Sequence, residues 1–127
     1  MASRNVEIVR RMYAAFARGD AATALELFDP DVDVDATLRP DGARGRGREA
    51  LATIIGGWIA SFDDWREEVE EMRDLGDRVY VVATQRGRGK ATGIEVEARY
   101  GVAYELVDGR IVSMRFDPEP PDAPPRD

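Results

Sequence analysis

The chain has no histidine and no cysteine, which narrows the chemistry open to it. Imidazole relays, thiolate nucleophiles and Cys or His metal ligands are excluded, so proton transfer falls to Asp, Glu, Tyr or Lys with a pKa shifted by burial. Two arginine–glycine runs, "ARGRGREA" (43–50) and "QRGRGKATG" (85–93), look at first like basic arms that grip phosphate. The second fails as a phosphate loop, because G-x-x-x-x-G-K-[ST] needs Gly where Thr84 stands and Ser or Thr where Ala91 stands. A net charge of −7 also repels a phosphate backbone at long range. Asp29, Asp31 and Asp33 read as a solvated acidic turn without the ligand spacing of a cation loop, so no metal and no cofactor is expected.

The elements that must position any site follow from periodicity. A length of 127 residues suits one domain, and no apolar run approaches the roughly 20 residues that cross a bilayer. The N-terminal "MASRNVEIVRR" lacks a signal-peptide core, so a cytoplasmic location and no membrane association are expected. Val6, Val9, Tyr13 and Phe16 fall at helical spacing over 3–18, with Gly19 closing that helix and Asp20 capping the next, "AATALELF". The period changes to two over Val32, Val34, Ala36 and Leu38, and "RPDG" (39–42) reads as a turn. A third helix runs from near Glu49 to Phe62, interrupted by Gly56-Gly57. Strands follow at 78–86, 94–107 and 110–116, the last two joined by the hairpin signal Asp108-Gly109. The tail "DPEPPDAPPRD" has little to bury and reads as disordered. Residues 65–75 pull both ways. Their Glu-rich composition favours helix, and with period two Trp65, Glu67, Val69 and Glu71 would share a face that makes a poor core strand.

The pieces "VRRMYAAFARGD", "LELFDPDVDVD", "GRGREAL" and "YELVDGRIVSMRF", in that order, resemble the SnoaL-like, polyketide cyclase-like branch of the nuclear transport factor 2-like superfamily. The resemblance implies one α+β domain over 1–117, a curved antiparallel sheet wrapped around about three helices to form a cone, with 118–127 as a tail. It makes 65–75 a strand. It places "ARGRGREA" in the loop and cap before the third helix and "QRGRGKATG" at a hairpin tip. It also implies a homodimer through the sheet face, where Glu97, Arg99 and Glu105 lie.

The known chemistries of related folds fit poorly. Aligned with the ketosteroid isomerases, Met12, Ala36 and Val102 stand where a Tyr, an Asp base and a second acid are needed. Aligned with the limonene epoxide hydrolases, Ala83, Gln85 and Phe116 replace the Arg and two Asp residues, while the scytalone-type dehydratases use histidines. The shared apolar register and the family cone imply a pocket lined by Tyr13, Phe16, Trp58, Gln85, Tyr100, Val102 and Met114. Gln85 would orient the polar end of a small, largely apolar molecule, with Tyr13 or Tyr100 as a second partner. The alternative is an acid–base isomerase, cyclase or dehydratase with one carboxylate, for which Asp35 is the candidate because a bulge would turn it inward. An interaction module with a vestigial pocket is the third class. Because the arginine runs are read as turns, no sequence-selective nucleic-acid binding is expected. Fluorescence anisotropy with labelled duplexes at physiological salt should detect no sub-micromolar complex, and one lost on replacing Arg44, Arg46 and Arg48 would overturn this.

Overall fold

A computed structural model describes residues 3–38, 42–118 and 120; the "RPDG" turn up to Asp41 and nearly all of the Pro-rich tail lie outside them. Helix α1 (Arg4–Ala17) starts where the Ser3 hydroxyl accepts from the Val6 amide at 3.0 Å. It ends in paired bonds, Gly19 N–H to Phe16 C=O and Asp20 N–H to Ala15 C=O, with Gly19 at φ 78°. That is a Schellman closure, and the left-handed φ is why glycine stands there. Asp20 then caps α2 (Ala21–Glu26) by accepting from the Thr23 amide at 3.1 Å.

The sequence extends the second helix to Phe28, but the chain leaves the helix after Glu26, and Phe28 opens strand β1 (Phe28–Asp35) as a fully buried core residue. Arg48 explains how the crossing is tolerated. Its guanidinium donates to the Phe28 carbonyl at 2.6 and 2.9 Å and to the Glu26 carbonyl at 3.4 Å, satisfying acceptors that the broken helix and the irregular start of β1 leave open.

The "ARGRG" segment is more than a loop. Arg44–Arg46 form β2, a short strand antiparallel to β1. Gly47, at φ 98°, caps helix α3 (Arg48–Ala60). A Cβ on Gly45 would come 2.8 Å from the Ala50 Cβ, so glycine there lets α3 lie against the strand. The three arginines are used internally, since Arg44 pairs with Asp33 at 3.1 Å and Arg46 donates to the Asp31 carbonyl at 3.4 Å.

Strands β3 (Phe62–Asp74), β4 (Arg78–Gly89), β5 (Glu95–Val107) and β6 (Arg110–Asp117) complete a curved six-stranded sheet ordered β2-β1-β6-β5-β4-β3. Every pairing is antiparallel except β1 with β6, so the sheet is mixed where the resemblance implies an antiparallel one. The second arginine–glycine run is mostly strand; β4 continues to Gly89, and only the residues after it turn. Among the described residues no helix is long and apolar enough to cross a membrane.

One face of the sheet packs on the helices through Val79, Val81, Val102, Tyr104 and Ile111 against Val9, Met12 and Leu51, all buried. On the other face Tyr80 and Val82 are also buried, and the hydroxyl end of the Tyr80 ring lies over Gly101, the hydroxyl donating to Asp117 at 2.8 Å. A Cβ on Gly101 would overlap that ring. Gly101→Ala is therefore expected to lower stability by about 1–3 kcal/mol in urea unfolding, more than Tyr80→Phe, which removes only the hydroxyl. Equal stability of Gly101→Ala and the parent would show that the ring does not occupy that space.

Candidate functional site

The helices do not fill the concave side of the sheet. A cavity of about 860 Å³ remains between α1, α3 and the inward faces of β3, β5 and β6. Its wall is largely aromatic and aliphatic, and Tyr13, Phe16, Trp58, Tyr100, Val102 and Met114 all reach it. The inward row of β3 adds Trp65, Glu67 and Val69, then Met72. That row is set by two irregularities in the pairing of β3 with β4, one between Asp63 and Arg66 and one between Val69 and Glu71. The first carries Asp64 at φ 52°, uncommon for a residue with a Cβ, and delivers Trp65 inward. The second returns Met72 to the side that Val69 occupies.

Of the three β3 carboxylates that border the cavity, Glu70 bonds Thr84 and Arg99, Glu71 pairs with Arg73, and Glu67 is the desolvated one. It sits directly across from Gln85 in the β3–β4 pairing. Its carboxyl makes no hydrogen bond or ion pair among the described residues, and it keeps only partial solvent contact. Desolvation pushes its pKa up to about 7 from 4.5. Close by, the Tyr13 and Tyr104 hydroxyls share a hydrogen bond of 2.7 Å, with the rings edge to face at 6.1 Å. Burial raises both phenol pKa values, and a charged Glu67 raises them further. Two hydroxyls joined by one hydrogen bond have one proton left to donate. Both rings line the cavity; Tyr104 is fully buried and Tyr13 keeps partial exposure.

Gln85 lies deeper than the sequence suggests. It is 4% exposed, and its side-chain oxygen accepts from the indole N–H of Trp58 at 2.7 Å and of Trp65 at 3.0 Å. The two indoles line the cavity, and Gln85 stands behind them. The polar residue on an apolar strand is thus partnered by the protein itself.

Asp35 is not in the cavity. It alternates away from the buried Val34, and its carboxyl accepts from the Thr37 amide at 3.0 Å and the Thr37 hydroxyl at 2.6 Å. Those bonds, with Arg44 and Arg115 nearby, hold its pKa below the usual value, the opposite of a base made ready by burial. The irregular stretch of β1 lies between Phe28 and Asp33, too early to turn Asp35 inward. The structure puts Glu67 in the position for which Asp35 was the candidate. The signal was in the sequence as the acid that made 65–71 a poor core strand, because that face borders a hollow instead of a core. Among the described residues no three Asp or Glu side chains converge to hold a metal ion.

The carboxyl of Glu67 links pH to stability. Well below pH 4.5 it is protonated in the folded and unfolded chain alike. As pH rises toward 7 the unfolded chain releases this proton while the folded chain keeps it, so stability falls across that window and then levels off. Glu67→Gln removes the loss. It should gain about 1–3 kcal/mol on the parent at about pH 8, with the gain shrinking toward zero near pH 4, read by urea unfolding. An identical difference at both pH values would place the carboxyl in bulk-like water.

Comparison with known proteins agrees with the architecture. A profile of the SnoaL-like domain matches residues 9–114. An uncharacterized protein of Mycobacterium tuberculosis is 29% identical over 112 residues, spanning 87% of this chain and 85% of its own. The crystal structure of a nuclear transport factor 2-like protein from Burkholderia thailandensis superposes with a TM-score of 0.82 at 22% identity, over 91% of this chain and 90% of that one. The crystal structure of a protein described as a candidate polyketide cyclase, from Xanthomonas campestris, superposes with a TM-score of 0.71 at 26% identity, over 89% and 88%. The matched profile spans α1 from Val9 onward, all of α3 and every strand up to Met114, and on that ground the chain belongs to the SnoaL-like family within the nuclear transport factor 2-like superfamily.

Proposed function

We propose that the cavity binds a small, largely apolar molecule bearing a carbonyl group and that Glu67 moves a proton on it. The observation that carries this reading is the desolvated, unpartnered carboxyl of Glu67 inside an apolar cavity, beside a hydroxyl pair with one proton to give. Binding alone would leave Glu67 unexplained, because an apolar ligand gains nothing from a buried carboxyl that costs the fold stability. A pKa near 7 suits a group that must both take and return a proton at neutral pH.

The chemistry follows from the two partners. The Glu67 carboxylate takes a proton from the carbon beside the carbonyl, and the electron pair moves onto the carbonyl oxygen. Tyr13, held by Tyr104, donates to that oxygen as charge develops there. Where a conjugated double bond extends the enolate, the Glu67 carboxylic acid returns the proton to the far carbon; otherwise the enolate attacks a second carbonyl carbon, whose oxygen takes that proton, or expels a β-hydroxyl group, which leaves as water with it. These outcomes are isomerisation, cyclisation and dehydration, and they share the first step. Likeness to a candidate polyketide cyclase is consistent with this class of reaction.

That first step is measurable without knowing the substrate. Hydrophobic cyclic ketones such as 2-tetralone, incubated in heavy water, should exchange their α-protons faster with the protein than with buffer. The rate should rise with pH through a midpoint near 7, as Glu67 ionises. Glu67→Gln should lose about 100-fold or more of the enhancement, and Tyr13→Phe a smaller part. Exchange that is indifferent to Glu67→Gln across the ketones tested would rule out proton transfer at this carboxyl.

A further inference from the structure

Two indoles of the same cavity wall share one hydrogen-bond acceptor. Trp58 lies in the last turn of α3, and Trp65 lies on the bulged start of β3. Both indole N–H groups converge on one oxygen, that of Gln85. Two donors can share only the carbonyl end of an amide, so the orientation of the Gln85 side chain is determined. Trp58 also stacks edge to face on Phe62, with ring centroids 5.1 Å apart. Beyond it, the Ser61 carbonyl accepts from the Lys90 amide at 3.0 Å, which ties the end of the helix to the β4–β5 hairpin.

On the other side of Trp58 stand Gly56 and Gly57. Neither has a positive φ, and a Cβ added to either would meet nothing within 4 Å. Neither backbone conformation nor packing asks for glycine at these positions. What two adjacent glycines do in a helix is weaken it, by roughly 1 kcal/mol each relative to alanine. The weakness falls one residue before an indole that lines the cavity.

We propose that Gln85 is the latch of a gate: its side-chain oxygen holds Trp58 and Trp65 together across the cavity wall, and Gly56-Gly57 is the hinge at which α3 loosens to admit a ligand. This rests on the reading that the cavity takes a small molecule. Gln85 is then a positioning residue that acts through the two indoles. The gate sets which ligands pass by their cross-section, and the hinge sets how fast they pass.

Trp58 and Trp65 are the only two tryptophans in the chain, so intrinsic fluorescence reports on the latch alone. Gln85→Leu removes the acceptor, and collisional quenching by acrylamide should rise about two-fold or more, whereas Gln85→Glu retains an acceptor and should quench like the parent. Gly56→Ala with Gly57→Ala should raise the melting temperature and reduce quenching. The same pair should slow association and dissociation of the apolar dye 1-anilinonaphthalene-8-sulfonate by similar factors, about five-fold in stopped flow, with Kd nearly unchanged. Parental quenching in Gln85→Leu would overturn the latch, and parental dye kinetics in the glycine pair would overturn the hinge. If Gln85→Leu does not fold, the glycine pair still decides the gate. A dye that fails to bind the parent would count against ligand binding in the cavity, and the quenching results would then judge the latch by themselves.

Discussion

The two interruptions in the pairing of β3 with β4 decide what this protein can do. Side chains of a strand alternate, so one residue of slip exchanges its whole inward set for its outward set. With the interruptions where they are, Trp65, Glu67 and Val69 face the cavity, and Met72 rejoins them after one skipped residue. Shifted by one position, the inward row would hold Arg66, Glu68 and Glu70. Three charges would then face the helices, and the outward ion pairs Arg86–Glu68 and Arg99–Glu70 would be lost. The hydrophobic wall, the desolvated acid and the inward Trp65 indole are consequences of that register.

The cavity is costly to the fold in two ways. Its volume is not filled by side chains, and it keeps a carboxyl away from full hydration. The rest of the molecule compensates with conventional means. These are a Schellman closure after α1, an arginine that satisfies stranded carbonyls at the start of β1, and a tyrosine lying over Gly101 on the far face. The side chains of Arg48 and Tyr80, and Gly19, do not themselves line the cavity. Stability and chemistry are thereby separated onto different parts of one sheet, which leaves the inward row free to carry groups that a core would reject.

Local rules were the legible part of the sequence. Ser3, Gly19 with Asp20, and Asp108 with Gly109 act through bonds to near neighbours, and each sits in the structure as its type demands. Features that depend on distant partners were not readable in the same way. The three residues of β2 are a strand only because β1 lies beside them, and Phe28 leaves helix only because the core and Arg48 receive it. Gln85 was recognisable as a buried amide in need of partners, but nothing local says that both are tryptophans from other elements. Glu67 was the most informative misfit. An acid on the inward side of a strand contradicts a core and agrees with a hollow, and only the fold distinguishes the two.

The order of the strands has a consequence for how the molecule behaves among its own copies. β3 ends the sheet, and at thirteen residues it is among its longest strands, so its outer border carries a row of backbone donors and acceptors with no further strand to pair among the described residues. A long bare border of this kind is a template on which a second extended chain can dock and aggregate. Arg66, Glu68 and Glu70 are exposed along this strand, and stripping water from these charged side chains opposes docking. The Glu-rich composition that makes this segment look helical thus acts as colloidal protection for the one strand whose inward side had to be given to the cavity.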